Sequence, residues 1–381
     1  MIPYGRQDIS DQDIQAVLEV LQSDFLTQGP AVPRFEAAAI AHCDAKFAVA
    51  VNSATSALHI ACMALDLGPG DILWTVPNTF VASANVGLFC GADVDFVDID
   101  PATYCMSVTA LAEKLEAADQ IGRLPKVLIP VHFAGQSCDM RAIAELAQKY
   151  GVRVIEDASH AIGARYLDQP VGNCAYSDIC VFSFHPVKII TTAEGGLATT
   201  NDPKLAERMQ LHRSHGVTRD PKLMDQASEG GWYYQMVELG YNYRMTEMQA
   251  ALGVTQFERL DAFVARRNLL AKRYDELLTD LPVICPVQNP DNYSAFHLYP
   301  IQVENRAQVF AQLRENGIGV NVHYIPVHTQ PYWKARGFEE GDFPNSESYY
   351  ARAISIPLYF GLSEGDQDKV IEEIARATKV I

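Results

Sequence analysis

The sequence predicts an α/β protein: a large unit built on a mostly parallel sheet, followed by a smaller α+β unit. Three observations lead there. From Phe47 to Asp157, short apolar runs alternate with helix-length segments, the rhythm of a parallel sheet covered by helices. Beyond Asn201 the rhythm breaks into a polar, glycine-rich stretch and then a long charged helical region, which suits a crossing between two units. With 381 residues, 48% hydrophobic and 20% charged, the chain can bury more than one core. The division is placed between residues 1–249 and 250–381.

Each element has its own signal. Asp8 to Leu21 carries apolar residues at Ile9, Ile14, Val17, Leu18 and Leu21, a helical spacing, and a second helix is expected from Val32 to Cys43. Strands are expected at 47–51, 72–76, 94–99, 126–131 and 152–157, with helices at 57–67, 79–90, 107–118 and 140–150 between them. The apolar run Ile179–Phe182 reads as a buried strand, and extended chain resumes at Leu197–Thr200. His212 to Gly240 reads as a long loop and Thr246 to Leu278 as a long helix. In the second unit, strands are expected at 296–303 and 319–325, and helices at 306–316 and 363–379.

The formal charge of −17 disfavours non-specific binding to nucleic acid or anionic membrane. The opening residues Met1–Arg6 lack a secretory pattern, and no apolar run reaches membrane-spanning length, so a cytoplasmic protein is expected. The eight scattered cysteines contain no Cys-x-x-Cys pair and fit a reducing compartment. The histidines show no zinc spacing, so no metal site is expected.

In open sheets of this kind, ligands bind at the carboxyl ends of the strands. Four features fall at that edge. Asn52–Ser56 starts a helix with small and hydroxyl residues that suit an anion, although Ser and Thr serve equally as a plain cap. Asp157 ends a strand, with His160 three residues on; the pair fits a carboxylate for a cationic ring nitrogen or another helix cap. Phe80 follows a strand and turn, placed to stack on a flat ligand or to pack in the core. Lys188 lies beyond Pro186 among Val187, Ile189 and Ile190, and Gly195–Gly196 closes the stretch. Desolvation there would lower its pKa enough for Schiff-base chemistry, the alternative being a solvated loop lysine. A phosphate site, a partner for a pyridine nitrogen, a ring platform and a reactive lysine together match the needs of pyridoxal phosphate.

Several stretches resemble the DegT/DnrJ/EryC1/StrS sugar aminotransferases: Asn52–Leu58, Pro77–Phe80, Pro130–Gly135, Glu156–His160, Ser183–Lys188, Glu194–Gly196 and Gly240–Met245. They run in family order, and Val322–His328 matches more loosely. The resemblance implies the fold of type I pyridoxal-phosphate aminotransferases and a role for each matched residue. Lys188 would carry the cofactor and shuttle the proton. Asp157 would pair with the ring nitrogen, Phe80 would stack on the ring, and His160 would sit near the ring hydroxyl or support Asp157. Ala54, Thr55 and Ser183 would bind the phosphate, and Asn242 would reach the phosphate of a neighbouring subunit, implying a homodimer. Apart from the resemblance, the basic loop residues Arg213, His215, Arg219 and Lys222 are candidate diphosphate contacts, the alternative being a solvated mobile loop, and His323, Tyr324 and His328 are candidate substrate contacts.

Family members that are dehydratases replace the lysine with histidine, so Lys188 favours transamination. The resemblance implies L-glutamate as donor and a nucleotide keto-sugar as acceptor. Ile2–Gln7 and His185–Thr192 look most like members that aminate C4 of a UDP-linked 4-keto-6-deoxy-N-acetylhexosamine in pseudaminic acid synthesis. Enzymes acting on UDP-4-keto-arabinose or at C3 of other keto-sugars are similar. A nicotinamide oxidoreductase is disfavoured because no Gly-x-Gly-x-x-Gly follows the first strand. A non-catalytic binding protein on the same fold is disfavoured because both Lys188 and Asp157 are present.

Overall fold

A computed structural model describes residues 1–378; Lys379, the last residue of the expected terminal helix, lies outside them. The large unit is organised on seven strands: β1 (Phe47–Val51), β2 (Ile72–Thr75), β3 (Asp93–Phe96), β4 (Val127–Ile129), β5 (Arg153–Asp157), β6 (Ile179–Ser183) and β7 (Gly196–Thr200). Their order is β1-β7-β6-β5-β4-β2-β3. β3, β2, β4, β5 and β6 pair in parallel, and β7 runs antiparallel between β6 and β1. The fold is thus α/β on a mostly parallel mixed sheet. Because β7 alone is reversed, its first residue, Gly196, lies at the same edge as the carboxyl ends of β1, β5 and β6.

Apart from the edge strand β3, the strands are buried on both faces, and their alternate residues feed two cores. Trp74, Leu128 and Val154 face one cluster; Leu73, Val127, Ile129 and Ile155 face the other. Helices α1 (Asp11–Leu21), α2 (Ala31–Cys43), α3 (Ala54–Ala64), α4 (Ala82–Phe89), α5 (Val108–Gln120) and α6 (Met140–Tyr150) all begin within three residues of their expected starts. A seventh, α7 (Pro203–Arg213), occupies a stretch read only as a change of pattern; Asp202 caps it and Pro203 supplies a pre-set first φ. The long charged helix is two: α8 (Glu247–Glu258) and α9 (Leu260–Leu278), separated at Arg259.

The face of α1 is the reverse of a simple amphipathic helix. Asp13 points inward and accepts hydrogen bonds from Thr255 Oγ1 at 2.5 Å and Gln256 Nε2 at 2.9 Å, with Arg259 alongside. Ile14, Leu18 and Leu21 point out, and Phe25 and Leu26 extend the exposed apolar stripe.

The second unit is a three-stranded antiparallel sheet, β8 (Val283–Ile284), β9 (Tyr299–Val303) and β10 (Ala353–Ile356). Helices α9, α10 (Arg306–Glu315) and α13 (Glu364–Thr378) pack on it through Leu270, Tyr274, Val309, Leu313, Val370 and Ile374. Two further helices, α11 (Pro331–Lys334) and α12 (Pro344–Arg352), precede β10. The expected strand over 319–325 is not one. Only Asn321 bridges to Ser355, and the chain then leaves toward Pro77, whose carbonyl accepts from the Val327 N–H. That departure carries His323 and Tyr324 to the edge of the large sheet. The long loop 212–240 contains one short hairpin, Val217–Thr218 with Gln235–Met236.

Candidate active site

A cavity of about 1010 Å³ opens at the carboxyl edge of the sheet, between the two units. Ala54, Thr55, Phe80, Asp157, His160, Ser183, Lys188, His323 and Tyr324, nine of the fifteen residues given a role above, line it. They come from six separate stretches that meet because β1, β2, β5 and β6 end together.

At the floor, Ser53 caps α3 by accepting from the Ser56 N–H at 3.1 Å, and the Ser56 hydroxyl donates to Asn52 Oδ1. The helix geometry leaves the N–H groups of Ala54 and Thr55 free as first-turn donors at the positive end of the helix dipole. Gly196 passes directly beneath: a Cβ there would lie 2.3 Å from the Ser53 carbonyl carbon and oxygen and 2.5 Å from the Ala54 nitrogen. The cradle therefore needs glycine for close approach rather than for an unusual φ.

Asp157 is buried. Its Oδ2 accepts from the Ser83 hydroxyl at 2.7 Å and its Oδ1 from the Ser159 N–H at 3.1 Å. Among the described residues, Lys188 is the one lysine or arginine lining the cavity. Lys188 keeps part of its surface open, yet the packing around its ammonium lowers its pKa to about 8; burial is the main cause, and the charge of Asp157 opposes it. A lysine in that range is still mostly protonated near physiological pH, but its free-amine fraction is far larger than that of an ordinary lysine, and in that form it can act as nucleophile and base.

Three imidazoles surround the lysine: His160, His297 and His323. All are held well below the usual histidine range, by burial first and by the Lys188 charge second, and His323 falls to about 3. Neutral rings add no charge to compete with Asp157. The Ala134 N–H donates to His160 Nδ1 at 3.2 Å, which assigns the ring proton to Nε2 and makes His160 the donor to the Tyr324 hydroxyl at 2.9 Å. His323 is held by Ser355 and Asn321. Phe80 is 60% exposed, unusual for a phenylalanine following a core strand, and its ring stands 6.3 Å from that of Tyr324. The core-packing alternative is thereby removed.

The remaining six residues are not in this cavity. Arg213 is committed beneath β1: its Nη1 donates to Glu36 Oε1 at 2.7 Å and to the Ala50 carbonyl at 2.9 Å. His328 is fully buried against Glu347 at 2.8 Å. For these two the expectation of substrate contact is corrected: both are tied into the protein. His215 and Asn242 are exposed, on adjoining strands of chain around the Ser214–Asn242 bridge, and Arg219 and Lys222 are exposed on the loop that follows His215. The sequence reading also omitted Tyr4, His297 and Asn321, which line the cavity from segments distant in sequence. Tyr4 does lie in the Ile2–Gln7 stretch that was singled out.

Residues 7–375 match the DegT/DnrJ/EryC1/StrS aminotransferase family. The chain belongs to that family. The spore coat polysaccharide biosynthesis protein SpsC of Bacillus subtilis is 40% identical to it, over 99% of this chain and 97% of that protein. Among solved structures, Spr1654 of Streptococcus pneumoniae in its pyridoxamine phosphate form superposes with a TM-score of 0.92 at 30% identity, covering 100% of both chains. PseC of Helicobacter pylori, an aminotransferase involved in the biosynthesis of pseudaminic acid, superposes at 0.91 and 30% identity, again over 100% of both chains. The family's cofactor is pyridoxal phosphate, and Spr1654 has been solved with it as well.

The residues here fit that cofactor: free helix-start donors for its phosphate, an exposed ring for its face, a buried carboxylate for its ring nitrogen and a neutral-prone lysine for its aldehyde. When bound, pyridoxal phosphate supplies an electron sink through which an amino group passes from a donor to a carbonyl. Asp157, fixed by Ser83 and Ser159, would keep the ring nitrogen protonated. Lys188 would hold and return the proton at the carbon that gains or loses nitrogen. Among the described residues, no cluster of His, Cys, Asp or Glu could hold a metal ion, and no helix is long and apolar enough to cross a membrane.

Proposed function

We propose that this sugar aminotransferase transfers the amino group of L-glutamate to C4 of a UDP-linked 4-keto-6-deoxy-N-acetylhexosamine, in nucleotide-sugar synthesis of the pseudaminic acid type. The observation that carries the chemistry is Lys188 beside Asp157 in one cavity with the Ser53–Thr55 helix start. The sugar assignment is supported by the Ile2–Gln7 and His185–Thr192 stretches and by the likeness to PseC over the whole chain. Residues 1–249 would supply the cofactor site and residues 250–381 the opposite wall. A cytoplasmic location fits a reaction fed by nucleotide sugars and eight unpaired cysteines.

The working unit is a homodimer. The cavity has one lysine and no arginine among the described residues, a poor match for an acceptor that carries a diphosphate. The exposed stripe of Ile14, Leu18, Leu21, Phe25 and Leu26 on and after α1 is a surface that a second copy would cover. Asn242, Arg219 and Lys222 are exposed and free to serve the neighbour's site.

Incubation with L-glutamate and UDP-4-keto-6-deoxy-N-acetylhexosamine should give a product carrying nitrogen at C4 by NMR, with 2-oxoglutarate in equal amount. Amination at C3, or turnover only with UDP-4-keto-arabinose, would replace this substrate assignment.

A further inference from the structure

The stretch Ile2–Arg6 is a strap between the two halves of the active site. The Ile2 N–H donates to the Gly317 carbonyl at 2.8 Å, the Gly319 N–H to the Ile2 carbonyl at 2.6 Å, and the Leu358 N–H to the Tyr4 carbonyl at 3.0 Å. Ile2 is buried in the core of the second unit, far in sequence from the rest of that core. On the other side the strap meets the lysine loop: a Cβ on Gly5 would sit 3.8 Å from Val187 Cβ, next to Lys188. The strap is built in rather than laid on. A Cβ at Gly319 would come within 2.8 Å of the Ile2 carbonyl oxygen and 3.0–3.1 Å of Pro3 and Tyr4 backbone atoms, so glycine there is what admits it.

The one strap side chain that lines the cavity is Tyr4. Its ring lies 5.6 Å from that of His323. Burial pushes its hydroxyl above the ordinary tyrosine range, against a smaller pull from the Asn321 side chain, so the phenol stays protonated and can donate. The cofactor's needs are met elsewhere, by the Ser53–Thr55 turn, Phe80 and Asp157. Tyr4, Asn321 and His323 line the same cavity as Lys188 and are not among those cofactor contacts, which leaves them to an incoming substrate. The donor amino acid is short, whereas a hexose on a diphosphate fills far more of a cavity this size.

We propose that Tyr4 is an acceptor-binding residue that holds the sugar ring against Lys188, with the strap fixing its position. The proposal rests on the nucleotide-sugar reading given above and adds a residue and a device to it.

The test compares wild type, Tyr4→Phe, Tyr4→Ala and Gly319→Ala as cofactor-loaded enzymes. Binding of UDP-N-acetylglucosamine, a probe without a reactive ketone, is measured by titration calorimetry. Bleaching of the visible cofactor band by L-glutamate reports the donor half-reaction separately. Losing one hydrogen bond weakens the probe about tenfold in Tyr4→Phe, and losing the ring as well weakens it further in Tyr4→Ala. Gly319→Ala, which keeps the tyrosine but displaces the strap, weakens the probe too. The donor half-reaction changes far less than probe affinity in all three. Probe affinity equal to wild type in Tyr4→Ala would overturn the proposal, as would a donor half-reaction slowed to the same extent. Wild type that binds no UDP-hexosamine would instead sink the nucleotide-sugar reading, and this inference with it.

Discussion

Replacing Gly196 by alanine tests whether the start of α3 is the phosphate cradle. The added Cβ would lie 2.3 Å from Ser53 backbone atoms and 2.5 Å from the Ala54 nitrogen, whereas ordinary contact begins near 3.4 Å. Roughly 1 Å of displacement is therefore forced. β7 cannot supply it, because Gly196 is paired on both sides, with Val51 and with Ser183. The helix start must move, and the free N–H groups of Ala54 and Thr55 move with it. Overpacking of this kind costs about 1–3 kcal/mol. Cofactor affinity, read by titrating the visible band, should fall about tenfold for each 1.4 kcal/mol that lands on the cradle. The cofactor-free protein should melt slightly lower, at about 1 °C per kcal/mol for a chain of this length. An alanine variant that binds the cofactor as tightly as wild type would show that the phosphate is not held at this turn.

The remaining predictions address separate parts of the account. Because burial lowers the Lys188 pKa to about 8, the rate of covalent capture of added cofactor should rise with pH and level off above about 8; Asp157→Asn, by removing the charge that opposes burial, should move that midpoint down. The same depression means that the unfolded chain binds the extra proton between about 8 and the ordinary lysine value, so Lys188 should make the cofactor-free protein more stable as pH rises through that window, an effect absent from Lys188→Met. Ser83→Ala removes the 2.7 Å hydrogen bond to Asp157 and should weaken cofactor binding about tenfold, by the same titration, while the fold is retained in far-UV circular dichroism. Arg213→Ala should lower stability by about 2 kcal/mol in denaturant melts and leave acceptor KM near wild type, since its guanidinium serves Glu36 and the Ala50 carbonyl. Ile14→Glu with Leu18→Glu should yield a folded monomer by sedimentation, with activity lost.

The sheet and the centre of its site were legible because each depends on short-range signals. Strand-length apolar runs and the turns after them follow from local sequence, and the rule that ligands sit at the carboxyl edge gathers Asn52–Ser56, Phe80, Asp157 and Lys188 at one edge; the roles of Asp157 and Lys188, which local sequence left open to a helix cap and a solvated loop, came from the family resemblance. What was missed depends on contacts across hundreds of residues. Asp13 reads as one polar position on a surface helix until Thr255, Gln256 and Arg259 are placed beside it. The apolar stripe of α1 then has to face outward, which no periodicity reveals. The apolar run at 319–325 looks like a strand, but its backbone is drawn away to Pro77, which puts His323 and Tyr324 in the cavity instead. Arg213 and His328 carry residue types that bind anions, and only their half-buried carboxylate partners, Glu36 and Glu347, show them to be structural. His297 had no sequence signal; it reaches the site because the fully buried Arg267 donates to the carbonyls of Phe296, His297 and Leu358 and fixes that segment.

The central claim is that Lys188 is the amine through which this chain performs cofactor-dependent amino transfer. The most direct measurement is the visible absorbance of the purified protein supplied with pyridoxal phosphate, before and after L-glutamate, with Lys188→Ala alongside. The account predicts a yellow wild-type protein that glutamate bleaches and that a keto-sugar nucleotide restores, and a variant without the lysine-dependent band. A wild-type protein that stays colourless, or a Lys188→Ala variant that shows the same band and the same bleaching, would contradict it.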